Sequence, residues 1–420
     1  MVKFRNIKGT HDLLPEQVDI WRQVENIIHL IMEQNGFGEI RTPVFENTDL
    51  FIRGIGTDTD IVSKEMYSWT DQGNNLLTLR PELTAPVARA YIQHQLSNKN
   101  PMHRLYYIDS LFRRERPQKG RQRQFHQFGA EAIGSPHPEQ DAEIIAIAYN
   151  TFNKFKIKDM TVNLNSIGSP EIRIKYLKLL RSSLVKVKSE LCATCQTRIE
   201  KNALRIFDCK NSNCQTLLDQ NAPLIFDAIS DSDCLHFDIV TRILNEVGIP
   251  FSHNKKLVRG LDYYSHTTFE ITSKSLGAQD ALCGGGRYNS LIEQLGGKPT
   301  PAVGFAAGLE RLILALEKNQ FSEKSPDIYF IHLGQEATII ASRIANDIRV
   351  KHEKIIIFEV LRRSLKAQMR EAGRSQAKTV LILGDDELKK NKIIIKNMQS
   401  GEQKEIEISK LDQYFNNTSN

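Results

Sequence analysis

The sequence predicts an α+β protein with an antiparallel-sheet core, a mainly helical insertion and a separate C-terminal α/β domain. Three observations predict this architecture. Short strand-like runs of mixed polarity, separated by hairpin-length loops, occupy residues 38–134, which is typical of an antiparallel sheet with helices on one side. Over residues 171–250 the strand signals fade, and Lys- and Leu-rich helical patterns replace them. After residue 326, apolar strands alternate with helix-length segments, as in a compact α/β domain.

The elements before the insertion follow from their periodicity. Apolar residues recur at helical spacing over residues 18–35, and Asn35-Gly36 is a normal helix stop. The next run, GEIRTPVFE, predicts a strand, and its Pro43 places that strand at a sheet edge or makes it irregular. Three further strands are predicted for NLLTLR, RLYYIDSLFRRE and QFHQFGAEAIG.

The core is predicted to resume after the insertion. The strand-like run LVRGLDYYSHTTFEITS precedes the glycine-rich segment CGGGRYNSLIEQLGG, and VGFAAGLERLILALEK predicts a glycine turn that leads into a helix. The last domain holds the strands DIYFIHLG, KIIIFEV, TVLILG, KIIIKNM and KEIEIS. The predicted limits are 1–170 and 251–323 for the two parts of the core, 171–250 for the insertion and 326–420 for the C-terminal domain.

Composition excludes several classes of protein. The 420 residues are 40% hydrophobic and 25% charged, which argues against long disorder. No stretch approaches a membrane span of about eighteen consecutive apolar residues, and the first residues lack a signal-type apolar core, so a cytoplasmic location is expected. Lys and Arg number 56 against 50 Asp and Glu, a mild excess that permits an anionic partner without requiring one. P-loop, GxGxxG, HExxH and GxSxG motifs are absent.

Basic residues concentrate between residues 104 and 123, where seven Lys or Arg accompany two acidic residues. Arginines at a strand end suit a polyphosphate, because guanidinium is planar, permanently charged and able to hold two phosphate oxygens. A solvated basic loop is an equal alternative for this segment alone. The other candidates are weak singly. Arg259-Gly260 precedes two tyrosines, one expected on each face of a strand, residues 284–286 resemble a close-approach glycine loop, and Arg311 lies near a helix start.

In combination these segments resemble one family. TLRPELT (78–84), FRRERPQKGRQRQFHQFGAE (112–131), LVRGLDYY (257–264), CGGGRYNSLIEQLGG (283–297) and VGFAAGLERL (303–312) resemble, in order, the motifs of bacterial-type histidyl-tRNA synthetases, which are class II aminoacyl-tRNA synthetases. KGTHDLLP matches too, as does TPVFE in the role of the first class II motif at a dimer interface. The resemblance implies a homodimeric ligase with a class II catalytic core and a C-terminal anticodon-binding domain. Its reaction would be ATP-dependent ligation of L-histidine to the 3′ end of histidine tRNA through histidyl-adenylate.

The resemblance also implies roles for individual residues. Arg113 would hold the α-phosphate of ATP, Arg311 the far end of a bent triphosphate, and Arg121 would also bind ATP. Arg259 would stand beside the histidine carboxylate and the α-phosphate, so that Arg259 and Arg113 are the expected catalytic residues. The histidine-binding set comprises Glu82, Thr84 and Gln127 for the α-amino and carboxylate end, Glu131 and Tyr264 for the imidazole, Tyr263 and Tyr288 for the wall, and Leu83.

The implied chemistry agrees with this set of residues. The histidine carboxylate is already a nucleophile, so the first step needs in-line placement and cations at the α-phosphate, with Mg²⁺ on the outer phosphates. Consequently no histidine has an expected acid–base role, and His126 is expected in the pocket or its wall. Two departures from the family pattern, Leu83 and Ala306-Ala307, remove no charged or hydrogen-bonding group.

Two basic regions are candidates for tRNA contact. By the resemblance, the hairpin tip at residues 116–123 would meet the acceptor end, and the C-terminal domain would bind the anticodon. One helix of that domain is predicted to carry a basic stripe at four-residue spacing, formed by Arg362, Lys366, Arg370, Arg374 and Lys378. A solvated helix face is the favoured interpretation of this stripe, and tRNA contact is the alternative.

Four of the six cysteines cluster as Cys192-x₂-Cys195 and Cys209-x₄-Cys214, the spacing of a structural zinc site. A chain this long with six cysteines is not a disulfide framework. Because the resembled family does not generally require zinc, a bound zinc is compatible with the sequence but is not favoured over four buried thiols.

Two rival functions remain. A catalytically silent paralogue that acts as a histidine-binding regulatory subunit would typically have lost active-site residues and the C-terminal domain, yet this chain keeps both. A nucleic-acid-binding module built on the cysteines would leave the other motifs unexplained.

Overall fold

The structure is a computed structural model that describes residues 4–56, 59–118, 120–276, 280–316, 321 and 324–417. Two compact units divide the chain, Met1–Phe321 and Ser322–Asn420. Lys119 of the basic hairpin and the predicted domain limits at residues 1, 323 and 420 lie outside the described residues. Within the described ranges, no helix is long and apolar enough to cross a membrane.

The part of the first unit that precedes the helical segment runs from helix α1 to strand β7. Its elements are α1 (Pro15–Gln34), β1 (Gly38–Glu39), β2 (Phe45–Asn47), α2 (Thr48–Ile55), β3 (Tyr67–Thr70), β4 (Leu76–Leu79), α3 (Thr84–Gln93), β5 (His103–Phe112), β6 (Gln124–Ile133), α4 (Pro138–Lys154) and β7 (Met160–Ser166). The apolar face of α1 is buried, as its periodicity predicts. The strand predicted across Pro43 is instead split into β1 and β2, consistent with a proline that has no N–H for a sheet ladder.

The next segment is helical, as predicted. It contains α5 (Pro170–Leu184), α6 (Ala193–Lys201), α7 (Ser212–Asn221) and α8 (Asp231–Glu246). Ser169 and Asn211 begin α5 and α7 as N-caps, because their side chains accept backbone N–H groups of the first turn. Buried Tyr176, Leu180 and Leu184 on one face of α5 pack into the apolar cluster of this segment.

The remaining elements of the first unit complete its main sheet. They are β8 (Phe251–His253), β9 (Ser265–Ser273), β10 (Ala281–Arg287), α9 (Leu291–Gln294), β11 (Ala302–Gly308) and α10 (Leu309–Ala315). Three local predictions were wrong. Residues 257–264 form a loop before β9 and are not part of a strand, and the three glycines at 284–286 lie within β10 and not in a loop. The glycine turn predicted at residues 303–308 is instead strand β11, although a helix follows it as predicted.

The main sheet has eight strands in the order β1-β5-β6-β11-β10-β9-β7-β8. Every pairing is antiparallel except the two outermost, β1 with β5 and β7 with β8. Phe128, Ala130 and Ala132 of β6 belong to the apolar core shared with α1, α4 and α8. Because side chains alternate along a strand, Gln127 and Glu131 project from the opposite face.

The second unit is a mixed α/β domain. Its elements are β12 (Ile328–Leu333), α11 (Gln335–His352), β13 (Ile356–Phe358), α12 (Leu365–Arg374), β14 (Thr379–Gly384), α13 (Asp385–Lys389), β15 (Lys392–Asn397), β16 (Gln403–Glu407) and α14 (Leu411–Asn417). The sheet order is β13-β12-β14-β15-β16, in which β13, β12 and β14 are parallel, β15 is antiparallel to β14, and β16 is antiparallel to β15. All five predicted strands are present.

The basic stripe predicted on one helix of this unit is shorter than expected. Helix α12 spans only ten residues, so Arg362 and Lys378 lie outside it. Lys378 is 2.8 Å from Asp327, and Arg374 pairs with Glu371 at 2.7 Å. Only Lys366, Arg370 and Arg374 share the helix.

Candidate active site

A cavity of about 420 Å³ opens on the face of the main sheet opposite α1 and α4. The strands β6, β9, β10 and β11 contribute its floor, and the loop at 257–264 and the start of α3 close its sides. All the residues that the sequence assigned to histidine or ATP line this one cavity: Glu82, Leu83, Thr84, Arg113, Arg121, Gln127, Glu131, Arg259, Tyr263, Tyr264, Tyr288 and Arg311.

At one end of the cavity lies the buried carboxylate of Glu131. It accepts hydrogen bonds from the hydroxyl groups of Thr84 (2.8 Å), Tyr107 (3.1 Å) and Tyr288. Burial raises the pKa of Glu131 to about 7 despite these donors. Gly304, directly opposite on β11, provides the necessary room, since a Cβ at that position would collide with the Glu131 carboxylate.

A second buried carboxylate, that of Glu82, lies just before helix α3. Its two oxygens accept the backbone N–H groups of Thr84 (2.7 Å) and Ala85 (3.0 Å), which otherwise have no partner at a helix start. Burial raises the pKa of Glu82 to about 7 as well. The same turn of chain therefore fixes Glu82 and places the Thr84 hydroxyl on Glu131.

Three tyrosine rings form a wall beside Glu131. The ring centres of Tyr263 and Tyr264 are 4.7 Å apart, and those of Tyr263 and Tyr288 are 5.5 Å apart. The prediction that Tyr263 and Tyr264 point to opposite faces of a strand was wrong, because both lie in the loop and both line the cavity. Tyr107 on β5 was missed, since nothing in its strand pattern distinguishes it from a core tyrosine.

The other end of the cavity is cationic. Arg113 is anchored by the Pro81 carbonyl at 2.8 Å and lies over the Phe125 ring. Arg121, at the hairpin tip, is 3.2 Å from Glu115, a residue that the sequence analysis did not assign to the site. Gln127 lies on β6 between this end and Glu131.

Arg311, at the start of α10, reaches the same end. Its guanidinium donates to the carbonyl groups of Ala281 (2.8 Å) and Gly120 (3.3 Å). Burial and the guanidinium groups of Arg121 and Arg113 lower its pKa. Arg113, Arg121 and Arg311 all line this end of the cavity, so that a bound polyanion would offset their charge.

Arg259 lies between the two ends. Its Nη1 donates to Glu270 on β9 at 2.8 Å, and its buried Nε has no hydrogen-bond partner among the described residues. The guanidinium packs against Gly284, where a Cβ would collide with it. Gly284 therefore does allow the close approach that the sequence predicted, although it lies in a strand and not in a loop. Glu270 was missed because a single acidic residue in a strand carries no sequence signal.

Two further features differ from expectation. His126 does not line the described cavity wall; it contacts Trp21 and lies 2.9 Å from Glu310, which does line the cavity. Arg205, from the helical segment, also lines the cavity and donates to Asp60. Its position depends on a contact between residues 145 positions apart, for which the sequence offered no signal.

Comparisons with known proteins identify the family of the chain. A family model described as histidyl-tRNA synthetase matches residues 9–312. The chain belongs to the histidyl-tRNA synthetase family. A second model, described as an anticodon binding domain, matches residues 327–418.

Individual relatives agree over nearly the full length. The histidine–tRNA ligase of Acetivibrio thermocellus is 45% identical over 410 residues, covering 96% of this chain and 97% of that protein. The corresponding ligase of Chloroherpeton thalassium is 46% identical, covering 98% and 97%. Among solved structures, apo histidyl-tRNA synthetase of S. aureus superposes with a TM-score of 0.82 at 36% identity, covering 99% of this chain and all of that one. The fold is thus that of a class II synthetase core followed by an anticodon-binding domain, and none of these findings favours a regulatory subunit.

Proposed function

We propose that the cavity binds histidine and ATP side by side and joins them as histidyl-adenylate, the first step by which this histidine–tRNA ligase charges its tRNA. One observation carries the proposal. A single cavity has a buried carboxylate ringed by hydroxyl donors at one end and the guanidinium groups of Arg113, Arg121 and Arg311 at the other. The first end suits an imidazole and the second a triphosphate.

Recognition of histidine rests on Glu131. Its oxygens are held by the hydroxyl groups of Thr84, Tyr107 and Tyr288, and the carboxylate, which is ionised above its pKa of about 7, can accept an imidazole N–H. Tyr263 and Tyr264 cover the ring. An analogue without a ring N–H would leave this buried carboxylate without that donor. Pockets of this kind reject such analogues by about 10⁴–10⁵-fold without editing. Glu82 and Gln127 complete the α-amino and carboxylate end.

Activation needs no general base, because the histidine carboxylate attacks the α-phosphate directly and pyrophosphate leaves. The attacking carboxylate oxygen forms a bond to the α-phosphorus, while the bond between the α-phosphorus and the oxygen that bridges to the β-phosphorus breaks. Arg113 and Arg259 would neutralise the charge that gathers on the α-phosphate oxygens, and the Glu270 contact fixes Arg259 before substrate binds. Arg311 and Arg121 would hold the outer phosphates.

The cavity also fits Mg²⁺ on the outer phosphates. Glu65 and Glu115 both line it, and Glu115 also contacts Arg121 at 3.2 Å. Burial and, to a smaller extent, the charge of Glu115 raise the pKa of Glu65. Carboxylate and phosphate oxygens are the ligands that Mg²⁺ prefers, and the bound ion supplies charge neutralisation at the leaving pyrophosphate. Glu65 and Glu115 are therefore the residues proposed to hold it.

The second step requires contact with tRNA. We assign the acceptor end to the basic hairpin tip, residues 116–123, and the anticodon to the second unit. Lys366, Arg370 and Arg374 on α12 are candidates for phosphate contact, and a solvated helix face is the competing interpretation. The catalytic core is proposed to comprise residues 1–170 and 251–323, around an insertion at 171–250, with the anticodon domain at 326–420.

A homodimer in the cytoplasm completes the proposal. The small sheet β2-β4-β3 exposes several large apolar side chains, with exposed fractions between 40% and 52%: Val44, Phe45, Trp69 and Leu76. The Phe45 and Trp69 rings contact each other at 6.0 Å. Val44 and Phe45 belong to TPVFE, which the resemblance assigns to a dimer interface, and exposed apolar side chains on one small sheet support a protein partner there.

ATP–pyrophosphate exchange with each of the twenty amino acids in turn tests the proposed activity. The proposal expects exchange with L-histidine alone, followed by transfer of labelled histidine to histidine tRNA. Folded protein that catalyses no exchange with any amino acid, while still binding histidine, would establish the regulatory subunit instead.

A further inference from the structure

The four clustered cysteines converge on one point in the helical segment. The Sγ atoms of Cys192, Cys195, Cys209 and Cys214 all lie within 4.8 Å of one another, and those of Cys192 and Cys209 are 3.9 Å apart. In a tetrahedral zinc site with Zn–S bonds of about 2.3 Å, neighbouring sulfurs are about 3.8 Å apart. The described arrangement needs only small adjustments to reach that geometry.

The backbone around the cluster contacts two of the four sulfur atoms. The N–H of Cys192 donates to the Sγ of Cys214 at 3.2 Å, and the N–H of Asn211 to the Sγ of Cys209 at 3.5 Å. Cys192 is the N-cap of α6, and Cys214 lies in the first turn of α7. These backbone contacts hold the sulfur atoms in place beside one another, as the outer contacts of metal ligands do in metal sites.

We infer that these four cysteines bind one structural zinc ion. The sequence alone favoured four buried thiols, but burial does not require four sulfurs from three separate chain segments to meet at one point. The other two cysteines, Cys234 and Cys283, are not part of the cluster. Four thiolates with no open position are the ligand set of a structural site and not of a catalytic one.

The inferred site has a clear structural consequence. Helix α6 and Cys209 flank residues 202–208, the segment that reaches the active-site cavity. In this segment, Asn202 donates to Asp262 at 3.0 Å and Arg205 donates to Asp60. A metal bound by cysteines on both sides of the segment would hold Arg205 at the cavity, because a metal cross-link restricts the conformations of the chain between its ligands.

Metal analysis of the full-length protein, purified under reducing conditions without added zinc, tests the inference. We expect one zinc ion per chain in the wild type and in Cys234→Ser, the matched control that removes a thiol outside the cluster. The double variant Cys192→Ser/Cys195→Ser should lose zinc by about tenfold or more. Replacement of zinc by Co²⁺ should give thiolate–cobalt absorption in the wild type and control but not in the double variant.

Wild-type measurements decide the question even if the double variant does not fold. Folded, fully reduced wild type that contains no zinc and gives no thiolate–cobalt absorption would overturn the inference. Two disulfides within the cluster of the protein as isolated, found by mass spectrometry after alkylation, would overturn it too. Retention of stoichiometric zinc by a folded double variant would place the metal elsewhere in the chain.

Discussion

Replacement of Arg259 by alanine should abolish most of the adenylation rate while leaving the protein folded. Arg259 is held in position by Glu270 at 2.8 Å and by the close approach of Gly284. A charged donor held in place before the reaction stabilises the transition state without reorganisation. The substitution should therefore act on the reaction and not on the fold.

The expected magnitude follows from that preorganisation. Loss of one fixed donor to a developing oxyanion lowers the rate by about 10²–10³-fold, equivalent to roughly 3–4 kcal/mol of transition-state stabilisation. The folded state should lose much less, because the Glu270 side chain left behind is 28% exposed and can be hydrated. Arg259→Lys, which keeps a charge but not the planar fork, should fall between the wild type and Arg259→Ala.

Steady-state ATP–pyrophosphate exchange with histidine is the appropriate assay, with kcat and KM determined separately for each substrate. A decrease mainly in kcat is expected, since the contact strengthens in the transition state. Arg242→Ala, which removes an exposed arginine from α8, is the matched control and should leave both parameters unchanged. Turnover within about threefold of the wild type in Arg259→Ala would refute the role assigned to this residue.

Three further predictions concern Gly284, the buried Arg287–Asp141 ion pair and Glu131. Gly284→Ala should reduce exchange by about tenfold or more, because its methyl group collides with the Arg259 guanidinium, and circular dichroism should show an intact fold. Arg287→Met should lower the free energy of unfolding by about 3–5 kcal/mol, since it removes the guanidinium from the buried carboxylate of Asp141 and leaves only His236 beside it; urea unfolding measures this, and a loss below about 1 kcal/mol would contradict it. Burial raises the pKa of Glu131 from 4.5 to about 7, so the folded state holds a proton that the unfolded chain releases, and stability falls as pH rises through that interval. In the wild type, this titration should lower the free energy of unfolding by on the order of 2–3 kcal/mol between pH 5 and pH 8. Glu131→Gln removes the titrating group, so its free energy of unfolding should differ less between these two pH values.

Local periodicity was sufficient to predict much of the fold. The buried face of α1, the β5–β6 hairpin and the strands of the second unit all follow from apolar spacing that packing then satisfies. The loop at 257–264 could not be predicted, because its strand-like residues are held by a tertiary contact. Arg173 donates to the Asp262 carbonyl at 2.6 Å, which stabilises an irregular backbone before β9.

The site itself was predictable only in part. The glycines at 284 and 304 read as weak turn signals, yet their function is to leave space for Arg259 and Glu131 from neighbouring parts of the sheet. Tyr107 and Arg205 reach the cavity from a strand and from the helical segment, and neither has a local pattern that distinguishes it. Residues whose roles depend on register between distant strands require the structure.

The dependence of ATP–pyrophosphate exchange on histidine concentration, compared between the wild type and Glu131→Gln, tests most directly whether the buried carboxylate reads the imidazole. The substitution keeps the size of the side chain but removes the charge that accepts the ring N–H. We predict that kcat/KM for histidine falls by about 10–100-fold, as expected for loss of a hydrogen bond to a charged group, while KM for ATP changes by less than about twofold. An unchanged response to histidine, or an equal rise in KM for both substrates, would contradict the account.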